Sequence, residues 1–148
     1  MVDPLSVAAS VAGLAGLAAG VSLQLFKLYD MLADAKSELS NLAQDVSGLS
    51  STLEQVSEVI CKHDALIQDK AIKSIFDIMK RCEKTMEELR VTTELVGLKR
   101  LYVKWLLRKA KVKEQKANIE GYKSSLNTIM TTVVLASVLD RPRGYVYH

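Results

Sequence analysis

An apolar repeat with alternating steps of three and four residues runs from Val7 to Ile60. It passes through Val11, Leu14, Ala18, Val21, Leu25, Leu28, Leu32, Ala35, Leu39, Leu42, Val46, Leu49, Leu53 and Val56. That spacing lays a continuous stripe along one side of a helix and does not fit a strand, where apolar residues alternate. A single straight helix over 5–62 would be roughly 85 Å long at ~1.5 Å per residue, too long for a compact domain. The stripe therefore has to fold back on itself. The segment ADAKSE at 33–38 is the place for the break, with Asp34 positioned to cap a second helix.

The same reading extends along the chain. Asp3 caps a first helix and Pro4 occupies its first position, where the missing N–H is of no consequence. The expected helices are 5–32, 35–62, 68–96 and 110–139, the third ending near Gly97. Between the last two lies a short sticky stretch, LKRLYVKWLLRK, with room for a brief extra helix. The third stripe is Ile67, Ala71, Ile75, Ile78, Cys82, Met86, Leu89, Thr93 and Val96. The fourth is Val112, Ile119, Tyr122, Leu126, Ile129, Val133 and Ala136. Arg141 before Pro142 ends the last helix, because proline disfavours α geometry in the residue before it.

The expectation is an all-α, four-helix bundle over 1–140. A loose tail at 141–148 reads as the point where a longer parent chain was cut. Charged residues at 25% and apolar ones at 49% are ordinary for a globular domain. With Leu39 and Leu42 as core positions, the flanking sites hold Ala43, Ser50, Thr52, Ser57 and Val59 beside Lys36, Glu38 and Asp45. Those mostly small or apolar residues favour a bundle over a self-associating coiled coil, which sets complementary charges there.

Enzyme chemistry finds no foothold. His63 falls in a turn and His148 is the last residue; there is no phosphate-binding glycine loop and no HExxH. The CKHD stretch at 61–64 offers a thiol, an imidazole and a carboxylate, but adjacent residues splay apart. No catalytic residue, metal site or cofactor is expected. Cys61 and Cys82 lack disulfide or zinc spacing. They read as half-buried helical thiols in a reducing, intracellular setting. The first charge is Asp3 rather than a positive n-region, which argues against a secretory signal.

Two features carry functional information. The charge is uneven: residues 27–64 sum to −4, 65–97 to 0 and 98–123 to +7. Lys99, Arg100, Lys104, Arg108, Lys109 and Lys111 surround Trp105, which reads as a core anchor. The run is either an anionic-lipid patch or a solvated face, and no nucleic-acid-binding motif accompanies it. The second feature is Pro4–Phe26, which carries no charge. Its Ala8, Ala12, Gly16 and Gly20 recur every four residues with Gly13 beside them, the small-residue spacing that lets helix backbones approach. Its leucines, valines and phenylalanine contribute roughly −3 to −5 kcal/mol to insertion before Ser6, Ser10, Ser22 and Gln24 subtract from it. It is a marginal membrane span and a good bundle helix.

The blocks DPLSVAASVAGLAGLA at 3–18, LYDMLADAKSELSNLAQDVSGLSSTLEQV at 28–56 and LKRLYVKWLLRKAKVKEQKANIEGYKSSLNTIM at 98–130 resemble HeLo-like domains. These are the N-terminal domains of fungal STAND, NLR-like receptors. The sequence departs from their pattern at Val2, one residue more than the usual start, and at Lys36, where relatives carry proline. The resemblance implies a toxin-like, pore-forming effector of fungal programmed cell death that acts at the membrane. Its signalling would be triggered by oligomerisation through an attached receptor or amyloid motif. It would be cytoplasmic at rest and at the plasma membrane once active, with anionic lipids and its own copies as partners and no nucleic acid. The first helix would insert, with Ala8, Ala12, Gly13, Gly16 and Gly20 as its self-association face. The alternative is a soluble docking or oligomerisation module with no lipid activity.

Overall fold

The computed structural model describes the backbone of residues 3–31, 36–98 and 101–139, and side chains at 3–28, 39–94 and 111–139. Four α-helices follow one another: α1 Pro4–Met31, α2 Lys36–Lys62, α3 Asp69–Leu98 and α4 Leu101–Leu139, with a 3-10 turn at Asp64–Leu66 between α2 and α3. The architecture is the expected all-α bundle. The brief extra element is the turn at 64–66 rather than a helix inside 98–109.

Each helix end has a local cause. Val7 N–H donates to the Asp3 carbonyl at 3.1 Å, and the Ser6 hydroxyl donates to the Asp3 carboxylate at 3.2 Å, so Asp3 closes the first turn of α1. Lys62 sits in the last turn of α2, where a cation meets the negative end of the helix. Leu66 N–H donates to the His63 carbonyl at 2.9 Å, closing the 3-10 turn, and Ile67 then adopts extended geometry. The start of α4 lies nine residues before the expected one. LYVKWLLRK contains no glycine or proline after Gly97, and its leucine, lysine and arginine are good helix formers, so nothing keeps it out of the helix. Of the expected break at 33–38, residues 36–38 already belong to α2, while Asp34 lies outside the described residues, as does the tail at 141–148.

The connections make an up-down-up-down bundle. α1 packs on α2 and α3, and α4 packs on α3 and α2, so among the described residues α1 and α4 sit across one diagonal and α2 and α3 across the other. The stripes meet in one core. Val7, Val11, Leu14, Ala18, Val21, Leu25 and Leu28 of α1 face Leu39, Leu42, Val46, Leu49, Leu53, Val56 and Ile60 of α2, all buried. From α3 come Ile75, Cys82, Met86 and Leu89, with Ile72 and Met79 beside them. From α4 come Val112, Ile119, Leu126 and Val133, one every seven residues. Ala71, Ile78, Tyr122 and Ile129 pack half-buried against this core, whereas Ala136 is exposed. The two cysteines differ: Cys82 is buried and Cys61 exposed, because only the former lies on a core stripe.

Candidate functional site

Helix α1, uncharged from Pro4 to Phe26, has two unlike sides. Its inner side carries Ala8, Ala15, Ala18 and Ser22, all buried against α2 and α3. Small side chains there let the backbones come close enough for hydroxyls of one helix to reach carbonyls of the other. Ser57 of α2 donates to the Ala8 carbonyl at 2.9 Å, Ser50 of α2 to the Ala15 carbonyl at 2.8 Å, and Ser22 of α1 to the Ala43 carbonyl at 2.9 Å. The residue numbers in each pair sum to 65, and successive pairs are seven residues apart. An antiparallel ladder therefore repeats every two helical turns, with its hydroxyls satisfied.

The outer side is different. Ala12, Gly13, Gly16 and Gly20 are exposed, and a Cβ built on any of the three glycines meets nothing within 4 Å. Leu5, Leu23 and Phe26 are exposed on the same helix, Leu23 by 64%. The structure thus separates the expected self-association face: Ala8 lies in the core, 1% exposed, while Ala12, Gly13, Gly16 and Gly20 line the surface. The glycines serve no contact inside the bundle. The close approach to α2 comes from alanine and serine. Pro4–Leu28 is long and apolar enough to cross a bilayer, with 44% of its most apolar window buried in the bundle.

The basic run is partly consumed by the fold. Lys111 Nζ lies 3.6 Å from Glu88 and 3.7 Å from Glu114, and Lys116 Nζ lies 3.6 Å from Asp45 of α2. The buried Asp45 Oδ2 makes no hydrogen bond, so that pairing is held by charge alone. Lys123 pairs with Glu120 at 3.2 Å and covers Gly48, where an added Cβ would come 3.2 Å from its ammonium. The side chains of Lys99, Arg100, Lys104, Trp105, Arg108 and Lys109 lie outside the described residues, and with them the larger part of the expected lipid patch and its anchor.

Between α3 and α4 the sequence hides a polar core residue. Gln115 is 1% exposed and its amide donates to Glu88 at 3.1 Å, while Tyr122 and Thr85 hydroxyls meet at 3.0 Å. Arg90 bridges Glu87 and Glu94 on the surface of α3 and holds the Glu87 carboxyl below the ordinary range. At the CKHD stretch Cys61, Lys62 and Asp64 are exposed and His63 is half-buried. Among the described residues no three His, Cys, Asp or Glu side chains gather where they would hold a metal ion.

The serines of the ladder escaped the sequence reading, where Ser22 counted as a cost to insertion and Ser50 and Ser57 as small flanking residues. The signal was present as pairs of small residues at seven-residue intervals in two helices that follow one another in the sequence.

Comparison with protein families finds that the family described as Pigment biosynthesis cluster protein PigL N-terminal matches residues 2–141. No curated protein and no solved structure matches the chain.

Proposed function

The chain belongs to the pigment biosynthesis cluster protein PigL N-terminal family, and we propose that its bundle is a HeLo-like, membrane-targeting effector domain of fungal programmed cell death. Clustering by an attached receptor or amyloid motif would release α1 to engage the plasma membrane. The observation that carries this reading is the outer side of α1. Gly13, Gly16 and Gly20 face open space there on a helix with no charge from Pro4 to Phe26. Glycine in a helix interior costs roughly 0.5–1 kcal/mol relative to alanine, and here no packing inside the bundle offsets that cost. Backbone left bare in this way suits close approach by another helix once α1 leaves the bundle, the association mode of helices in lipid. Insertion would require α1 to shed the serine ladder, since α2 carries Asp45, Glu54 and Glu58 and cannot follow it into a bilayer. Such a two-state change has to be driven by a difference in affinity between the states, which clustering on a membrane would supply.

The test is dye release from anionic liposomes by the chain fused to an inducible oligomeriser. Clustered wild type should release dye and Gly16→Glu should not, although Gly16→Glu folds because its side chain enters open space. No release by the clustered wild type, or equal release by Gly16→Glu, would falsify the reading. The ladder itself favours a second reading, a rigid docking or oligomerisation module in which α1 never leaves. In that case hydrogen exchange in α1 should stay as slow after clustering as before.

A further inference from the structure

A second uncharged run closes the bundle at its other terminus. From Ser124 to Leu139, α4 carries no Asp, Glu, Lys or Arg. Its inner positions behave as core: Leu126 and Val133 are buried, and Ile129 and Met130 are half-buried. Its last turns do not. Val134 is 41% exposed, Leu135 57%, Val138 51% and Leu139 82%. Four of the six hydroxyls of the same run turn inward on their own helix. Thr128 donates to the Ser124 carbonyl at 3.0 Å, Thr131 to Asn127 at 2.9 Å, Thr132 to Thr128 at 3.0 Å and Ser137 to Val134 at 2.7 Å. The last turns therefore present less polar surface than their composition suggests.

The helix directions bring this segment to one end of the bundle. α4 runs antiparallel to α3, as the Gln115–Glu88 and Tyr122–Thr85 contacts require, and its end touches the 3-10 turn. Leu66 of that turn is 38% exposed and Leu5, at the start of α1, 50%. α1 begins at this end, because Ala8 pairs with Ser57 near the end of α2.

We propose that the end of α4 with the adjoining turn, formed by Leu66, Val134, Leu135, Val138 and Leu139, is a membrane-docking tip that seats in the apolar boundary of a bilayer while all four helices stay folded. The proposal rests on the membrane reading above and adds where lipid is met first. Together the five residues expose about 450 Å², in the size range of functional surface patches. A stable dimer buries about 800 Å² on each partner with matched shape, so a second copy is a poor fit. A bilayer boundary takes up single apolar side chains without shape matching. Among the described residues the charges around the tip are mixed, with Asp3, Glu58, Asp64 and Asp69 against Lys62 and Lys70, and they favour apolar burial over attraction to anionic headgroups as the drive for docking.

The test places an environment-sensitive fluorophore on Val138→Cys or on Gly16→Cys in the full chain carrying Cys61→Ser. Cys82 does not compete, since burial pushes its thiol up to about 12. The unclustered protein is mixed with phosphatidylcholine vesicles and with phosphatidylcholine–phosphatidylserine vesicles. The label at 138 should shift to the blue with both, the label at 16 should not, and Leu135→Asp with Leu139→Asp should weaken partitioning by about tenfold or more. Silence at 138, or partitioning unchanged by the aspartates, overturns the tip. A shift at 16 alone moves lipid contact to the flank of α1, so the tip fails while the membrane reading stands. A shift at 138 without dye release on clustering does the reverse. A shift at 138 that grows with protein concentration and needs no vesicles shows a second copy on the patch and also overturns the proposal.

Discussion

Between α1 and α2 the leucine and valine stripes are flanked by a seam of Ala8, Ala15, Ala18 and Ala43 with three serines; between α3 and α4 Met86, Leu89, Ile119 and Leu126 are accompanied by Gln115 and Tyr122. Among the described residues the backbones of the first pair run close over more of their length than those of the second. The first pair is joined by hydroxyls to backbone carbonyls, the second by side chains to side chains and by Lys111 to Glu88. Main-chain carbonyls are the same at every residue, so the first seam is written in side-chain size and spacing. The second seam is written in chemical identity, which is why its polar members are glutamine, tyrosine and glutamate rather than any small residue.

Truncation should hurt the second seam and enlargement the first. Leu126→Ala, at a fully buried position of α4, should cost about 2–5 kcal/mol in urea unfolding, the range for a leucine removed from a tight core. Ala15→Leu should cost about 1–3 kcal/mol, because α2 has no space for the added atoms. If Ala15→Leu is neutral, the backbones are not in close contact and the comparison fails. Ser50→Ala should cost about 1 kcal/mol, the net worth of a typical internal hydrogen bond. The Ser22, Ser50 and Ser57 variants should add, since their sites are two turns apart.

Outside the seam the sign reverses. Gly16→Ala should stabilise by about 0.5–1 kcal/mol, because the new methyl group meets nothing and the helix gains a better former. The smallest effect belongs to the exposed Arg90–Glu87 pair. The arginine's hydrogen bond holds Glu87 below its ordinary 4.5, so the pair's contribution is present at neutral pH and is lost as the pH falls below that value. Solvent screens it. The melting temperature of Glu87→Gln should stay within replicate scatter of wild type at neutral pH, and any difference should vanish in acid.

The helices and their inner stripes were legible because the three–four repeat is long, so the buried leucines, valines and isoleucine described from Val7 to Ile60 follow from their place in the series. Two kinds of information were not. Four-residue spacing drifts by about 40° per step on a helix of 3.6 residues per turn. Ala8 and Gly20 look like members of one stripe in the sequence, yet one ends in the core and the other in solvent. Gln115 falls at a stripe position where only the presence of Glu88 on another helix makes an amide acceptable, and a partner 27 residues away is not visible from spacing. The exposed end of α4 was hidden for a related reason. Apolar residues on both sides of a helix give no period, so Leu135 and Leu139 could not be told from core until α2 and α3 were in place.

The seven-residue interval of the ladder also limits how α1 can move. Sliding α1 along α2 by three residues would set Val11 and Leu25 where Ala8 and Ser22 now stand, and the places of Ala8 and Ala15 are taken by the seam's own next members, Ala15 and Ser22, only after seven residues, roughly 10 Å of travel. Such a seam works like a ratchet with a single usable tooth: small axial displacements find no intermediate resting place. Withdrawal of α1 is therefore a sideways, all-or-none peeling, and a force applied along its axis would be resisted by all three serines at once.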